Sequence, residues 1–171
     1  MAETNQQDAI ALLKHDHRTV EELFEKFEKA TGDGRKQTIA EEICLDLSVH
    51  AQIEEEIFYP ACEGKVEEDL LKESYVEHDA AKLLIAEITS GAGEGDEFFD
   101  SKVKVLQEEI EHHVEEEEKP KSGFFAQARE ADIDVKGLGE RLAARKEELT
   151  ANYKAAGIPK PELTTMDEVE A

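Results

Sequence analysis

Residues 10–27 read IALLKHDHRTVEELFEKF, and their apolar side chains mark the inward face of an amphipathic helix. The apolar residues recur at the alternating three- and four-residue spacing of a helix in a bundle once one further position, residue 17, is counted. These apolar residues are Ile10, Leu13, Val20, Phe24 and Phe27. The remaining position is occupied by His17, so a polar ring stands where the pattern calls for an apolar side chain.

Three more segments with this helical pattern follow, and breaks at 31–34, 60–65 and 91–95 separate the segments. The breaks contain glycine or proline, which interrupt helices. Long helices joined by short loops favour antiparallel neighbours. The sequence therefore predicts an all-α protein whose residues 8–120 form an antiparallel up-down-up-down four-helix bundle.

The region after the bundle has a different pattern. Residues 121–156 are predicted to form a helical extension with a short helix and an additional C-terminal helix. Asp134 is a suitable N-cap for that last helix, and Gly157 is suited to follow its end. Residues 157–171 contain two prolines and several acids, so we expect a flexible tail.

The composition restricts the class of partner. Lys and Arg total 20 against 43 Asp and Glu, a formal charge of −23 among 171 residues. Nucleic acids and anionic membranes attract clustered Lys and Arg, so we expect neither as a partner. The chain has no apolar run near the roughly 20 residues of a membrane-spanning helix, and its polar start does not resemble a signal peptide. A cytoplasmic location is the resulting expectation.

The two cysteines are expected to be reduced. Cys44 and Cys62 fall in one predicted helix, where a rise of about 1.5 Å per residue puts them roughly 27 Å apart. A disulfide requires Cα atoms within about 7 Å of each other. The cysteines therefore indicate no disulfide framework.

Polar residues also occupy inward positions in the other three helices of the predicted bundle. The full set of inward polar residues is His17, His50, Glu54, His78, His113 and Glu117. An imidazole or carboxylate in an apolar interior costs several kcal/mol unless it finds a partner. Six such residues converging on one bundle axis predict a metal site.

The spacing indicates two metal ions rather than one. His50 with Glu54, and His113 with Glu117, form two H-x-x-x-E pairs, each on one helical face. Such pairs from two helices suit a dinuclear centre with bridging carboxylates. Nitrogen and oxygen donors without thiolate favour iron or manganese over structural zinc.

Several neighbouring polar residues fall off the inward faces. His15 and His112 are expected to face solvent or to lie around the ligands. The acidic runs 54–56 and 115–118 are expected to form solvated faces from which only their inward glutamates, Glu54 and Glu117, point to the centre.

Four motifs together resemble the hemerythrin-like HHE cation-binding domain over about residues 8–120: LLKHDHRTVEELF, HAQIEEEIFYP, YVEHDAAKLLIAEI and HHVEEEE. The resemblance implies a cofactor of two non-haem iron ions bridged by two carboxylates and a solvent-derived oxygen. On that pattern one iron takes His17 and His50, the other takes His78 and His113, and Glu54 and Glu117 bridge them.

Two departures from the family's oxygen carriers bear on function. Lys82 stands where those carriers have a fifth histidine, and the second bridging carboxylate is Glu rather than Asp. The interpretation is a di-iron protein that interacts with oxygen or a related small molecule as carrier, buffer or sensor. A di-iron enzyme that decomposes peroxide or reduces nitric oxide is the alternative, and Lys82, Tyr59 and His112 are its candidate proton donors.

Simple sequestration of iron is a second alternative, because an acidic surface attracts cations. The sequence leaves open the physiological ligand, the choice between iron and manganese, a protein partner and the oligomeric state.

Overall fold

The computed structural model describes residues 7–90 and 95–167, and in those ranges all regular structure is helical. The predicted break at 91–95 lies almost wholly outside the described residues. The helices are α1 (Ala9–Lys29), α2 (Asp33–Ile53), a π-helical turn (Glu54–Phe58), α3 (Tyr59–Cys62), α4 (Glu68–Ser90), α5 (Phe99–Glu118), α6 (Phe124–Glu130) and α7 (Val135–Ala156).

Four long helices close into a ring. α1 packs against α2, α2 against α4, α4 against α5, and α5 returns to α1. Asp8 begins α1 because its carboxylate accepts the N–H of Ala11, and Gly32, at φ 95°, makes the turn into α2 that a residue with a side chain rarely adopts. The prediction of an all-α four-helix bundle is confirmed.

The second helix of the bundle does not end at Pro60 as the sequence suggested. It passes through the π-helical turn, where the N–H of Tyr59 donates to the carbonyl of Glu54 five residues earlier. The wider turn accepts a proline in the next position and adds one residue to the inward face. Phe58 and Cys62 are therefore buried, whereas their neighbours Ile57 and Ala61, which an uninterrupted apolar spacing would turn inward, are only half-buried.

Two apolar clusters fill the interior on either side of the inward polar residues. One cluster includes Leu13, Ile53 and Phe124, and the other includes Val20 and Leu106. Along α1, α2 and α4 the inward polar residues fall between members of the two clusters, whereas on α5 they follow members of the second cluster. The candidate site is thus a polar layer enclosed by apolar packing above and below.

The extension covers the outside of the bundle. α7 packs against α1, α2 and the π-helical turn, while α6 packs against α5 and buries Phe124 and Phe125. Asp134 caps α7 by accepting the N–H of Gly137, and Gly157 follows its last residue with φ 87°. Asp134 and Gly157 thus mark the start and the end of α7, as expected from the sequence.

The segment after α7 makes hydrogen bonds as far as Met166, next to the last residue described, Asp167. The backbone N–H groups of Thr164, Thr165 and Met166 donate to the carboxylate of Asp79 on α4. A segment expected to be loose thus follows the bundle surface, because a buried carboxylate satisfies its backbone donors.

Two further expectations concern the chain as a whole. Among the described helices, none combines the length and apolar character needed to cross a lipid bilayer. Cys44 and Cys62 are both buried and free. Burial, and then nearby carboxylates, raise the pKa of each thiol to about 12, so both are inert at neutral pH.

The contact between α7 and the start of α1 depends on a glycine. A Cβ placed on Gly139 would lie 2.4 Å from the carbonyl oxygen of Gln7 and 2.9 Å from the nitrogen of Ala9. These are backbone atoms and cannot turn aside. We predict that Gly139→Ala lowers the free energy of unfolding by about 1–3 kcal/mol, measured by urea titration.

The control for this variant is Gly34→Ala. A Cβ at Gly34 meets nothing within 4 Å, and the residue lies in the first turn of α2. Alanine there should leave stability unchanged or raise it by a few tenths of a kcal/mol. Equal effects of the two substitutions would contradict the close approach at Gly139.

Candidate metal centre

The six inward polar residues predicted from the sequence lie in the polar layer, and none is more than 7% exposed. Their donor atoms form two groups, each with all ligand atoms within 4.8 Å of one another. The first group is His17, His50 and Glu117, and the second is Glu54, His78 and His113. The structure thus places His17 beside His50 and His78 beside His113.

The two glutamates lie between the histidine pairs. Glu54 Oε1 is 2.8 Å from Nε2 of His50 and 3.4 Å from Nε2 of His78. Glu117 Oε1 is 3.3 Å from Nε2 of His17 and 3.1 Å from Nε2 of His113. Each carboxylate therefore touches one histidine of each group, which is the position that a bridging ligand occupies.

Several of these donors have no hydrogen-bond partner in the protein. The unsatisfied buried atoms in the polar layer are Nε2 of His17, Nε2 of His50, both carboxylate oxygens of Glu54 and Oε1 of Glu117. Buried polar atoms left unpaired cost about 1–3 kcal/mol each. Their shared direction toward the space between the two groups fits a pair of cations.

A second set of carboxylates fixes the other nitrogen of each histidine. Nδ1 donates to a carboxylate in all four cases: His17 to Glu118 (2.8 Å), His50 to Asp16 (3.0 Å), His78 to Glu55 (3.3 Å) and His113 to Glu77 (3.3 Å). These bonds leave Nε2 as the free donor atom that faces the centre. Metal-binding histidines are oriented in this way in many proteins.

The four orienting carboxylates form a closed ring around the bundle. Asp16 on α1 holds the histidine of α2, Glu55 in the π-helical turn holds that of α4, Glu77 on α4 holds that of α5, and Glu118 on α5 holds that of α1. Every bundle helix thus orients the inward histidine of the next one. Each orienting acid is also the immediate sequence neighbour of a residue in the inward set.

This ring corrects the expectation for the acidic runs. Glu55 and Glu118 were expected on solvated faces, yet their side chains are only 11% and 20% exposed. A residue next to an inward position lies at the helix–helix boundary, within reach of the neighbouring helix. The acid beside each ligand was the signal in the sequence that would have found Asp16 and Glu77 as well.

Tyr59 also reaches the centre, since the π-helical turn rotates it inward. Its side chain is fully buried, and its hydroxyl donates to Oε2 of Glu117 at 3.2 Å. The hydroxyl oxygen of Tyr59 is also 3.2 Å from Nε2 of His78 and 3.5 Å from Nε2 of His113. The sequence suggested Tyr59 as a proton donor without placing it.

The other polar residues considered from the sequence lie outside the centre. The ammonium group of Lys82 is 2.9 Å from Oε2 of Glu55 and donates to the carbonyl of Glu162, also at 2.9 Å. His15 is exposed, and His112 is 58% exposed with its Nε2 3.8 Å from Glu77. Neither histidine belongs to the two donor groups.

Charges inside the polar layer shift several pKa values. Burial alone would lower the pKa of His50, but the charge of Glu54 and the hydrogen bond to Asp16 raise it to about 10. Burial acts on His113 in the same way, and Glu117 nevertheless raises its pKa. Burial likewise opposes ionisation of Glu117, and His113 and His17 still hold its pKa well below the usual value.

A cavity of about 420 Å³ gives access to the centre. All four ligand-type histidines line it, together with apolar residues of the bundle such as Val20 and Ile85. One part of its wall comes from residues 158–162, in the segment after α7. A small molecule thus has space beside the two donor groups.

The family model of the hemerythrin HHE cation binding domain matches residues 8–120. The match covers the whole bundle and every residue of the two donor groups. The chain therefore belongs to the hemerythrin HHE cation-binding domain family.

Two known proteins are similar to this chain. A protein from Nostoc sp. (strain PCC 7120 / SAG 25.82 / UTEX 2576) named DNA nickase is 32% identical over 125 residues, which are 73% of this chain and 34% of that protein. The chain spans about a third of its length. The crystal structure of a hemerythrin HHE cation binding domain-containing protein from Mycobacterium kansasii matches with a TM-score of 0.71 and 20% identity, over 88% of this chain and 94% of that one. At that identity the likeness shows the fold.

The shifted pKa values predict how the stability of the metal-free chain depends on pH. The pKa of His50 in the folded chain is about 10, above the ordinary 6.5, so its stabilisation is complete below pH 6.5 and is lost as pH rises toward 10. We expect the free energy of unfolding of chelator-treated protein to fall by at least about 1.4 kcal/mol, the equivalent of one pKa unit, between pH 6 and pH 9. Urea titrations at both values measure it.

Two variants test the assignment of this pH dependence. His50→Gln should reduce the difference between pH 6 and pH 9, because the group that titrates is gone. His15→Ala should leave the difference unchanged, because His15 is exposed. Equal stability of the unmodified chain at both pH values would contradict the raised pKa.

Proposed function

We propose that this chain binds two non-haem iron ions through His17, His50, Glu54, His78, His113 and Glu117, and that the resulting centre interacts with oxygen, peroxide or nitric oxide. The observation that carries the proposal is the pair of three-donor groups joined by two glutamates. The Nε2 and carboxylate atoms that lack a hydrogen bond between the groups support it, because buried polar atoms need a partner and cations would supply one.

The donor set supports iron as the metal. The two groups offer imidazole nitrogens and carboxylate oxygens, and neither free cysteine belongs to them. Mixed nitrogen and oxygen ligation suits iron or manganese, and carboxylate-bridged pairs of these metals occur in helix bundles. Membership of a cation-binding family agrees with this assignment.

The Nostoc relative does not extend the proposal to DNA. Its printed name describes a nickase, but this chain spans about a third of that protein. The formal charge of −23 opposes contact with a phosphate backbone. We therefore propose a small molecule as the ligand of the centre.

Removing a ligand tests the metal assignment. We expect the purified chain to contain two iron ions, and Glu54→Ala or His113→Ala to lose most of the iron and to lower the free energy of unfolding. The loss of stability follows because the remaining donors become buried and unpaired. Metal analysis and urea titration measure the two effects.

Exposed histidines provide the matched controls for ligand removal. His15→Ala removes an imidazole from α1 and His112→Ala removes one from α5, the helix of His113, yet neither residue belongs to the donor groups. Both variants should retain the full iron content. Iron loss in either, or an iron-free natural chain, would contradict the assignment.

One observation favours chemical conversion over reversible oxygen carriage as the second candidate function. The hydroxyl oxygen of Tyr59 lies 3.2 Å from Nε2 of His78 and 3.2 Å from Oε2 of Glu117. Burial, and then the charges of Glu117 and Glu54, raise the pKa of this phenol well above 10, so it stays protonated. When bound, an iron pair supplies electrons and an open coordination position.

The position of Tyr59 assigns it a role in proton transfer. Its Oη can hold and deliver a proton at the donor groups themselves. Lys82 lines the cavity, but its ammonium group is held by Glu55 and the carbonyl of Glu162, and His112 is mostly exposed. A proton source at this place favours breakdown of peroxide or reduction of nitric oxide. Reversible carriage requires instead that the bound oxygen receive no proton.

A tyrosine substitution distinguishes these functions. We expect Tyr59→Phe to retain its iron and to consume peroxide or nitric oxide roughly a hundredfold more slowly, because a positioned proton donor contributes about 10²–10⁴ to a rate. Gas evolution and consumption of the added oxidant measure the rate.

The control is Tyr75→Phe, which removes a hydroxyl from a ring that packs edge-on against Tyr59. It should keep the rate of the natural chain. An unchanged rate in Tyr59→Phe would contradict the role of its proton. A stable oxygen adduct in the natural chain, without conversion of peroxide or nitric oxide, would favour the carrier, buffer or sensor function.

A further inference from the structure

The segment after α7 crosses the cavity that leads to the candidate metal centre. We call residues 158–166 the strap. Ile158 at its start packs against the apolar cluster that contains Val20 and Leu106. Residues 158–162 then form part of the wall of the cavity that the histidines of the two donor groups also line. The strap thus borders the space next to the centre.

The far end of the strap is held by one carboxylate. Asp79 is fully buried and accepts backbone N–H groups from Thr164 at 3.0 Å, Thr165 at 2.6 Å and Met166 at 3.1 Å. It also accepts the hydroxyl of Thr165 at 2.7 Å. Several donors on one buried carboxylate form a strong, directional anchor, because hydrogen bonds to charged groups are stronger than neutral ones.

The middle of the strap is joined to the residues around the centre. Lys82 donates to the carbonyl of Glu162, and the hydroxyl of Thr164 donates to Oε1 of Glu55 at 2.9 Å. Glu55 is the carboxylate that orients His78. The strap is therefore in contact with the support of one proposed ligand as well as with the cavity wall.

The composition of the strap suits a fixed conformation. Pro159 and Pro161 restrict the backbone and carry no N–H that would need a partner at the cavity wall. Because proline reduces the conformational entropy that a segment loses on folding, such a segment needs fewer contacts to stay in place. Its position rests on Ile158 at one end, on the contacts with Lys82 and Glu55 in the middle, and on the anchor at Asp79.

We propose that the strap, anchored at Asp79, controls access to the centre and restricts it to molecules of two to four atoms, such as oxygen, nitric oxide or peroxide. This inference rests on the proposed function for the identity of the ligands. Larger molecules reach the four histidines only when the anchor opens.

Two substitutions weaken the anchor from opposite sides. Asp79→Asn removes the charge and one acceptor oxygen, and Thr165→Val removes only the hydroxyl donor. The control, Glu73→Gln, neutralises an exposed acid on the same helix. If one anchor variant fails to fold, the other still tests the proposal.

Two measurements on the full chain report opening of the anchor and access to the centre. Hydrogen exchange of the amides of Thr164, Thr165 and Met166 reports opening of the anchor, and release of bound iron to a bulky chelator reports access. We expect both rates to rise about tenfold in the anchor variants, because the open state gains population when a charged hydrogen bond is lost. Azide binding to the loaded chain should change much less, and Glu73→Gln should match the natural chain.

The outcomes separate the strap from the metal assignment. Faster exchange of the strap amides with unchanged iron release would overturn the proposal, as would unprotected strap amides in the natural chain. A chain without iron contradicts the proposed function alone. Access is then measured by labelling the four inward histidines with diethyl pyrocarbonate, and the exposed His15 and His112 serve as internal standards. If labelling of the inward histidines does not rise in the anchor variants, the proposal for the strap is overturned.

Discussion

A layer of ionisable side chains crosses an otherwise apolar bundle, and the rest of the structure depends on how that layer is satisfied. The inward imidazoles and carboxylates are almost completely buried, where an isolated charge is expensive. The protein meets part of this cost with the ring of orienting carboxylates, which fixes Nδ1 of every inward histidine. Only the donor atoms between the two groups remain without partners.

The π-helical turn serves this layer. It begins at Glu54, one of the two glutamates between the histidine pairs, and it ends just before Tyr59. The extra residue turns Phe58 and Tyr59 toward the interior, so that an apolar cluster lies against the centre while a hydroxyl reaches it. A regular α-helix would have directed Ile57 inward instead. Departures from regular helical geometry of this kind occur frequently at functional sites.

Much of the fold and the candidate site follows from helical periodicity. The apolar spacing around residue 17 predicts the buried face of α1, and the same logic leads to the inward residues of the other three bundle helices. The helix after Asp134 can also be predicted from the sequence, because an N-cap and a C-terminal glycine mark its ends. These features depend on local chemistry, which a single sequence displays.

The rest depends on contacts between helices, which periodicity does not report. Glu55 and Glu118 look solvated on their own helices, and only the neighbouring histidine makes them part of the centre. Tyr59 requires the insertion of the π-helical turn, for which the sequence has no simple marker. The anchor at Asp79 joins residues 85 or more positions apart, so no local pattern predicts it.

The cyclic arrangement of the orienting carboxylates has a consequence for how such a domain can be altered. α1 contributes His17 to the centre and Asp16 to the histidine of α2. A helix transplanted from another protein must therefore supply an inward donor and also the carboxylate that orients the histidine of the neighbouring helix. The same holds around the whole circle. A transplanted helix that carried only the inward donor would leave the imidazole on the adjacent helix free to rotate. The smallest unit that can be exchanged is therefore a helix that carries both its inward donor and the carboxylate residue beside it.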